Sequence, residues 1–300
     1  MNRISNISAS VRQRLLNKAR SERRPFNELL QYYAMERFLF RLSKSQHADR
    51  LILKGALMLR VWRAPEQRPT MDIDLLGMTS NQEADIIAQV HDILGVPVKD
   101  DGIAFDPNSV RAERIAADAE YEGLRVRFSG SLGTGRISMQ IDVGFGDVVY
   151  PEPVESELPT ILGDPSPRLL CYSMESAIAE KLEAMVKRGA LNCRVKDFYD
   201  IWMLSCQFAF NGTVLSEAIR LTFSQRESEV SRDIAAYSES FTEARQVQWE
   251  SFRKRLQQEH VPVSFQEIVA VVEAFLGPVL EGLESGTGGP DHWDGSGGWK

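Results

Sequence analysis

The chain has 300 residues, 43% of them hydrophobic and 26% charged, with a formal net charge of −7. That length fits one large domain or two small ones with a real core, and no apolar run approaches the ~18–20 residues of a membrane span. The acidic balance argues against stable, sequence-independent residence on nucleic acid, while leaving room for a local basic groove.

Residues 8–44 read as two helices. Ser10 is a candidate N-cap for Val11–Arg20, and Pro25 opens a second helix with Phe26, Leu29, Leu30, Tyr33, Phe38, Leu39 and Leu42 at helical spacing. Leu51-Ile52-Leu53 reads as a short buried strand, Lys54-Gly55-Ala56 as a turn and Leu57–Trp62 as a helix. A polar loop, Ala64–Pro69, leads into the apolar run Met71–Leu76, and Asn81–Leu94 is again helical in pattern. From Val110 to Val149 the pattern turns to strands. Leu124–Phe128 alternates, Ser131–Gly135 is a turn, and Ile137, Met139, Ile141 and Val143 lie opposite Ser138, Gln140 and Asp142, which is a hairpin signal.

Pro151, Pro153, Pro159, Pro165 and Pro167 mark a loop or linker. Helical patterns follow over Ser173–Lys187, Val195–Phe208, Glu217–Phe223 (with Ser216 as candidate N-cap), Ile234–Arg255 and Phe265–Leu283. Ser285–Lys300 is rich in Gly and Asp and reads as a poorly ordered tail, although Trp293 and Trp299 give it a means of docking onto the body. The expected organisation is α+β. Residues 1–150 form a mixed-sheet domain with leading helices, 151–170 connect, 171–284 form a helical domain that completes the site, and 285–300 form a flexible tail.

Three cysteines, Cys171, Cys193 and Cys206, form no CxxC, which suggests reduced thiols and a cytoplasmic setting. Met1–Ser5 lacks a signal-peptide pattern. The four histidines, at 47, 91, 260 and 292, are not spaced as metal ligands, which argues against histidine-based catalysis.

The most informative feature is Met71-Asp72-Ile73-Asp74-Leu75-Leu76. On a strand, Asp72 and Asp74 share one face. Side-by-side like charges repel, so folding alone does not favour them. A divalent cation does, because hard Mg²⁺ is held by carboxylates together with substrate phosphates. The competing reading is a solvated strand edge. Basic residues concentrate at Arg12–Arg24 and again at Arg111–Arg136, and either cluster also reads as a solvated face.

The order of strand, Lys-Gly-Ala turn, helix, DxD strand and hairpin with a third Asp resembles the nucleotidyltransferase fold of the polymerase-beta superfamily. The resemblance implies that Lys54, Gly55 and Ala56 contact a triphosphate, that Asp72, Asp74 and Asp142 hold Mg²⁺ or Mn²⁺, and that an NTP is the substrate. Ala56 departs from the usual Gly or Ser of that turn, and the spacing to Asp72 is longer. Glu175-Ser176-Ala177-Ile178-Ala179-Glu180-Lys181-Leu182, followed by Arg194-Val195-Lys196-Asp197-Phe198-Tyr199-Asp200-Ile201, is similar to the AbiEii/AbiGii nucleotidyltransferase toxin family, which includes the mycobacterial MenT toxins. Ser-Val-Arg-Gln-Arg-Leu-Leu and Leu-Lys-Gly-Ala are similar to it as well, so the likeness spans about residues 8–208.

By position, Lys181 matches the family's essential lysine, which neutralises phosphate charge; the alternative is a surface lysine. The last acidic position is assigned to Asp197, with Asp200, which shares its helix face, as the alternative, and one of them is a candidate to hold Lys181 or Arg194 in place. Thr70 is a candidate for phosphate contact or modification, or simply a loop residue. Arg60 and Arg68 are candidates for phosphate contact. Arg125, Arg127 and Arg136 are candidates for one side of an RNA groove.

The resemblance implies a toxin of a toxin–antitoxin or phage-defence pair that adds nucleotides to an RNA 3′ end, with tRNA as acceptor, a cognate antitoxin as partner and no membrane. The alternatives are transfer to a protein side chain or small molecule, NTP binding without turnover, and a structural helical adaptor.

Overall fold

The computed structural model describes residues 6–64, 68–115, 123–295 and 297–300. The expectations for Met1–Ser5 and for the centre of the 64–69 loop lie outside the described residues. The chain forms two compact units. One comprises Met1–Arg63, Pro69–Gly146 and Val154–Cys171; the other comprises Ala64–Arg68, Asp147–Pro153 and Tyr172–Lys300.

The first unit holds α1 (Ile7–Glu22), α2 (Phe26–Lys44), β1 (Leu51–Lys54), a 3₁₀ turn at Gly55–Leu57, α3 (Met58–Val61), β2 (Ile73–Gly77), α4 (Glu83–Leu94), β3 (Ile103–Arg114), β4 (Gly123–Leu132), β5 (Gly135–Phe145), β6 (Val154–Glu157) and β7 (Arg168–Cys171). Its seven strands form one mixed sheet in the order β3-β4-β5-β2-β1-β7-β6. The pairs β2/β5 and β1/β7 are parallel and the others antiparallel.

Helix α1 begins four residues earlier than Val11, because the Asn6 side chain accepts from Ala9 N at 2.9 Å and caps it; Ser10 lies inside the helix. Alternation in β5 buries Ile137, Met139, Ile141 and Val143, and α2 covers that face through Phe38, whose ring lies 5.6 Å from that of Phe128. Strand β3 starts at Ile103, before the expected onset at Val110. Asp106-Pro107-Asn108 breaks its alternation, and the register shifts between Asp106 and Arg111.

The proline-marked segment 151–170, expected as a loop or linker, instead supplies β6 and β7. Four residues on either side of the Pro159–Pro167 stretch suffice for pairing, and β6 sits at the sheet edge with Val154 exposed, so no alternation announces it. The loop between them is tied down by Glu36, which accepts from Ile161 N at 2.9 Å, and by Arg60, which donates to Pro159 O at 3.1 Å.

The second unit holds α5 (Met174–Arg188), capped by Ser173, then α6 (Val195–Gln207), β8 (Phe210–Asn211), α7 (Gly212–Gln225), a 3₁₀ turn at Ala235–Tyr237, α8 (Glu239–Leu256), α9 (Phe265–Ser285) and β9 (His292–Trp293). Asn211 caps α7 through Val214 N, so Ser216 is a buried interior residue and not the cap. The single helix expected over Ile234–Arg255 is split, because Ser238 ends the 3₁₀ turn and caps α8. Phe198, Tyr199, Trp249, Phe252 and Phe265 form the aromatic core, with Trp249 and Phe265 centroids 5.6 Å apart.

The C-terminal segment docks. Trp293 is 1% exposed and donates to Ser205 O at 2.7 Å, while Trp299 stacks on Phe275 with an interplanar angle of 2°. Burying the Trp293 indole and stacking the half-buried Trp299 on Phe275 offsets the entropy of ordering the Gly-rich stretch. Trp293→Ala is expected to destabilise this unit by about 3–5 kcal/mol, read as a lowered unfolding midpoint in a thermal melt.

Candidate active site

The sheet register builds the site. Asp74 pairs with Asp142 across the parallel β2/β5 contact, Lys54 pairs with Asp74 from β1, and Arg125 pairs with Asp142 from β4. One rung of the sheet thus reads Lys54–Asp74–Asp142–Arg125, two carboxylates between two cations. Asp72, two residues before Asp74, joins the same face, and one oxygen from each of Asp72, Asp74 and Asp142 lies within 4.8 Å of the others. Three converging carboxylate oxygens are the donor set that a hard divalent cation takes, so these residues fit Mg²⁺ or Mn²⁺.

Two of the three carboxylates, Asp142 and Asp72, are held by side-chain contacts. Arg125 forks onto Asp142, Nε to Oδ1 at 2.9 Å and a terminal nitrogen to Oδ2 at 2.7 Å, and this bonding raises the guanidinium pKa. Thr70 Oγ1 donates to Asp72 Oδ1 at 2.7 Å, and the Thr70 N–H donates to the Tyr32 hydroxyl at 3.1 Å. Gln31 donates to the Met71 and Ser138 carbonyls at 3.1 and 3.0 Å, pinning the approach to β2 beside β5. Gly55 has φ +72°, and an L-type Cβ there would stand 1.9 Å from Asp74 Oδ2. The glycine therefore serves two needs at once, a left-handed backbone and space for a carboxylate.

A second cluster is built within the other unit. Lys181 on α5 contacts Asp200 Oδ2 at 3.0 Å and Asp197 Oδ1 at 3.4 Å, both from α6. Arg68 forks onto Asp200 at 2.8 and 3.1 Å, and Arg194 pairs with Asp197 at 2.7 Å. The carboxylates are almost fully buried, while the Lys181 side chain retains 17% exposure. Burial alone would raise the Asp200 carboxyl, but Arg68 and Lys181 outweigh it and hold it at about 2. Burial likewise disfavours the Lys181 ammonium, and Asp200 and Asp197 overcome this and raise its pKa.

Asp72, Asp74 and Asp142 are brought together, with Lys54, Gly55 and Thr70 beside them. Ala56 is buried in the 3₁₀ turn. Lys181, Asp197 and Asp200 form a set of their own, and both aspartates contact the lysine. Two arginine expectations change. The Arg60 guanidinium stacks 4.9 Å over the Tyr32 ring and bonds Pro159, with burial lowering its pKa, and Arg68 is committed to Asp200. Arg125 holds Asp142, whereas Arg127 pairs with Glu113 and Arg136 is exposed.

Sequence reasoning does not find Gln31 or Tyr32, whose roles need tertiary contact, nor Arg226, which joins Asp147 and Glu183 in a buried ion-pair network. The Arg125–Asp142 pair does have a sequence signal, since counting outward from the two-residue Gly133-Thr134 turn sets the two opposite each other.

Gly55→Ala is expected to displace Asp74 and weaken Mn²⁺ binding at least tenfold in a titration followed by electron paramagnetic resonance, with the fold retained. Asp200→Asn removes the anion shared by Arg68 and Lys181, and a loss of about 3–5 kcal/mol is expected. Because the Asp200 carboxyl is depressed, its stabilisation is complete above the unfolded value near 4 and disappears as pH falls through about 2. Thermal melts of wild type and variant should therefore converge toward pH 2.

The family model "Nucleotidyl transferase AbiEii toxin, Type IV TA system" matches residues 37–271. Among solved structures, a protein of H. pylori described as a candidate nucleotidyltransferase gives a TM-score of 0.46 at 13% identity, covering 86% of this chain and 96% of that one. JHP933 from Helicobacter pylori gives 0.47 at 14% identity, covering 86% and 94%. No curated protein matches the chain. The assignment rests on the family match, which takes in β2, β5, α5 and α6 with both residue clusters. The chain belongs to the AbiEii family of type IV toxin–antitoxin systems and is a nucleotidyltransferase.

Proposed function

We propose that this protein is the toxin of its pair, that it works in the cytoplasm beside a cognate antitoxin, and that it transfers nucleotides from an NTP to an RNA 3′ end, with tRNA the expected acceptor. The observation that carries the reading is the convergence of Asp72, Asp74 and Asp142 within 4.8 Å on adjacent strands. In this reading the three carboxylates hold Mg²⁺ (or Mn²⁺), which when bound supplies charge neutralisation at the attacking and leaving oxygens of an in-line displacement.

The chain's own residues supply the rest. Gly55 and the backbone of the 3₁₀ turn offer N–H groups to phosphate oxygens, with Ala56 adding no hydroxyl and Lys54 adding a cation. Thr70 orients Asp72, and Arg125 keeps Asp142 aimed at the acceptor 3′ hydroxyl. The hydroxyl oxygen bonds to the α-phosphorus while its proton passes to an Asp142 carboxylate oxygen, and the bond from that phosphorus to the bridging oxygen breaks, so that pyrophosphate leaves. Lys181 serves as the phosphate-neutralising ammonium that the family motif implies. Asp197 and Asp200 keep it charged and oriented, and Arg68 serves by holding Asp200 in place of contacting phosphate. Modification of the acceptor end of tRNA would block aminoacylation and stop translation.

The test is label transfer from each NTP to total tRNA with Mg²⁺, beside Asp72→Ala and Lys181→Ala. Label at the RNA 3′ end, lost by at least a hundredfold in both variants, is the expected result. Label on protein with none on RNA would replace the acceptor in this reading. Absence of transfer to either would leave an NTP-binding protein.

A further inference from the structure

We infer that the solvent-facing side of the β4–β5 hairpin, running from Asp142 to the Gly133-Thr134 turn, is the track on which the single-stranded 3′ end of the acceptor RNA lies. The inference rests on the RNA reading above and says which surface receives the strand.

Alternation gives this hairpin one apolar face, buried under α2, and one polar face. Starting beside the carboxylates, successive rungs of the polar face read Arg125–Asp142, Arg127–Gln140, Ser129–Ser138 and Ser131–Arg136. Past the first rung every side chain is a hydrogen-bond donor and none is a carboxylate. In a chain of net charge −7, these six face positions carry two arginines and no acid. Three rung-to-rung steps, each two residues at about 3.4 Å, make a strip of about 20 Å.

The strip is open to a ligand. Arg127, Arg136 and Ser138 are exposed, and Arg136 makes no ion pair among the described residues. Arg127 does pair with Glu113, but both side chains are about half exposed, so solvent already competes for the contact and a phosphate can replace it at small cost. Arg125 is not part of the track, since Asp142 occupies its fork.

The occupant follows from complementarity. Arginine forks and hydroxyl donors suit phosphate oxygens and ribose hydroxyls. No aromatic residue lies on these rungs, so bases are not stacked there and the strand is held by its backbone, without sequence preference. The strip ends at Asp142, so a strand lying along it delivers its terminus to the carboxylate cluster.

The experiment measures binding of a 5′-fluorescein-labelled twelve-nucleotide single-stranded RNA, and of total tRNA, by fluorescence anisotropy from 50 to 200 mM KCl, without NTP or metal. Arg127→Gln/Arg136→Gln is compared with Arg20→Gln/Lys99→Gln, which makes the same charge change at exposed positions elsewhere in the same unit. The hairpin pair is expected to weaken binding at least fivefold and to flatten the slope of log affinity against log salt by about 1.4, two phosphates at about 0.7 each. The control pair is expected to stay within twofold of wild type. A hairpin pair that binds like wild type overturns the inference, as does an equal loss in the control pair, which would show general charge attraction. If wild type transfers label to tRNA while the hairpin pair keeps its affinity, the track is wrong and the function stands. If wild type neither binds RNA nor transfers to it, both fail.

Discussion

Everything at the carboxylate centre depends on a repulsion that the fold imposes. Three acids are brought within 4.8 Å by β2 and β5, whose pairing is fixed by their buried faces. Sliding β2 by one residue would turn Ile73 and Leu75 outward, and sliding β5 would do the same to Ile141 and Val143, a far larger loss than the relief of charge. Packing on one face of the sheet thus sets the electrostatics on the other. Arg125 and Thr70 moderate the crowding without abolishing it, which leaves a site primed for a cation.

The lysine cluster obeys the opposite rule. Lys181 sits between two acids that are themselves gripped by arginines, so its charge is secured by contacts inside its own unit. Removing one partner leaves buried charge uncompensated. A network of this kind specifies geometry more than it adds stability, and it keeps a partly exposed ammonium in one orientation. Of the two candidate acids, Asp200 is the more firmly bound, with both oxygens occupied by Arg68 and one shared with Lys181.

How much of this was legible in the sequence varies with the range of the forces involved. The DxD strand, the hairpin and helices α5 and α6 follow from periodicity and capping, which are local. Helix starts are ambiguous where two good caps compete, as Asn6 and Ser10 do, or Asn211 and Ser216. The strands β6 and β7 are not legible, because four-residue strands among prolines carry no alternation to count. The Trp293 and Trp299 contacts were undetermined because docking depends on a surface formed by α6, α7 and α9. At the site, residue types and order pointed to Asp72, Asp74, Asp142 and Lys181. The destinations of Arg60 and Arg68 were hidden, since a long flexible cation finds its partner only in three dimensions.

The hairpin register has a consequence for how such chains can vary in length. Asp142 is seven residues beyond Gly135, and every intervening side chain is committed to one face or the other. An insertion of one residue in that stretch exchanges the faces, sending Met139-type positions into solvent and polar ones into the core. An insertion of two lengthens the hairpin and preserves both. Strand β3 absorbs its own irregularity between Asp106 and Arg111, but it lies at the sheet edge, where a bulge disturbs one neighbour instead of two. The central arm of the hairpin has no such freedom. Its length is governed by parity: only an even insertion, or one within the turn itself, leaves both faces as they are.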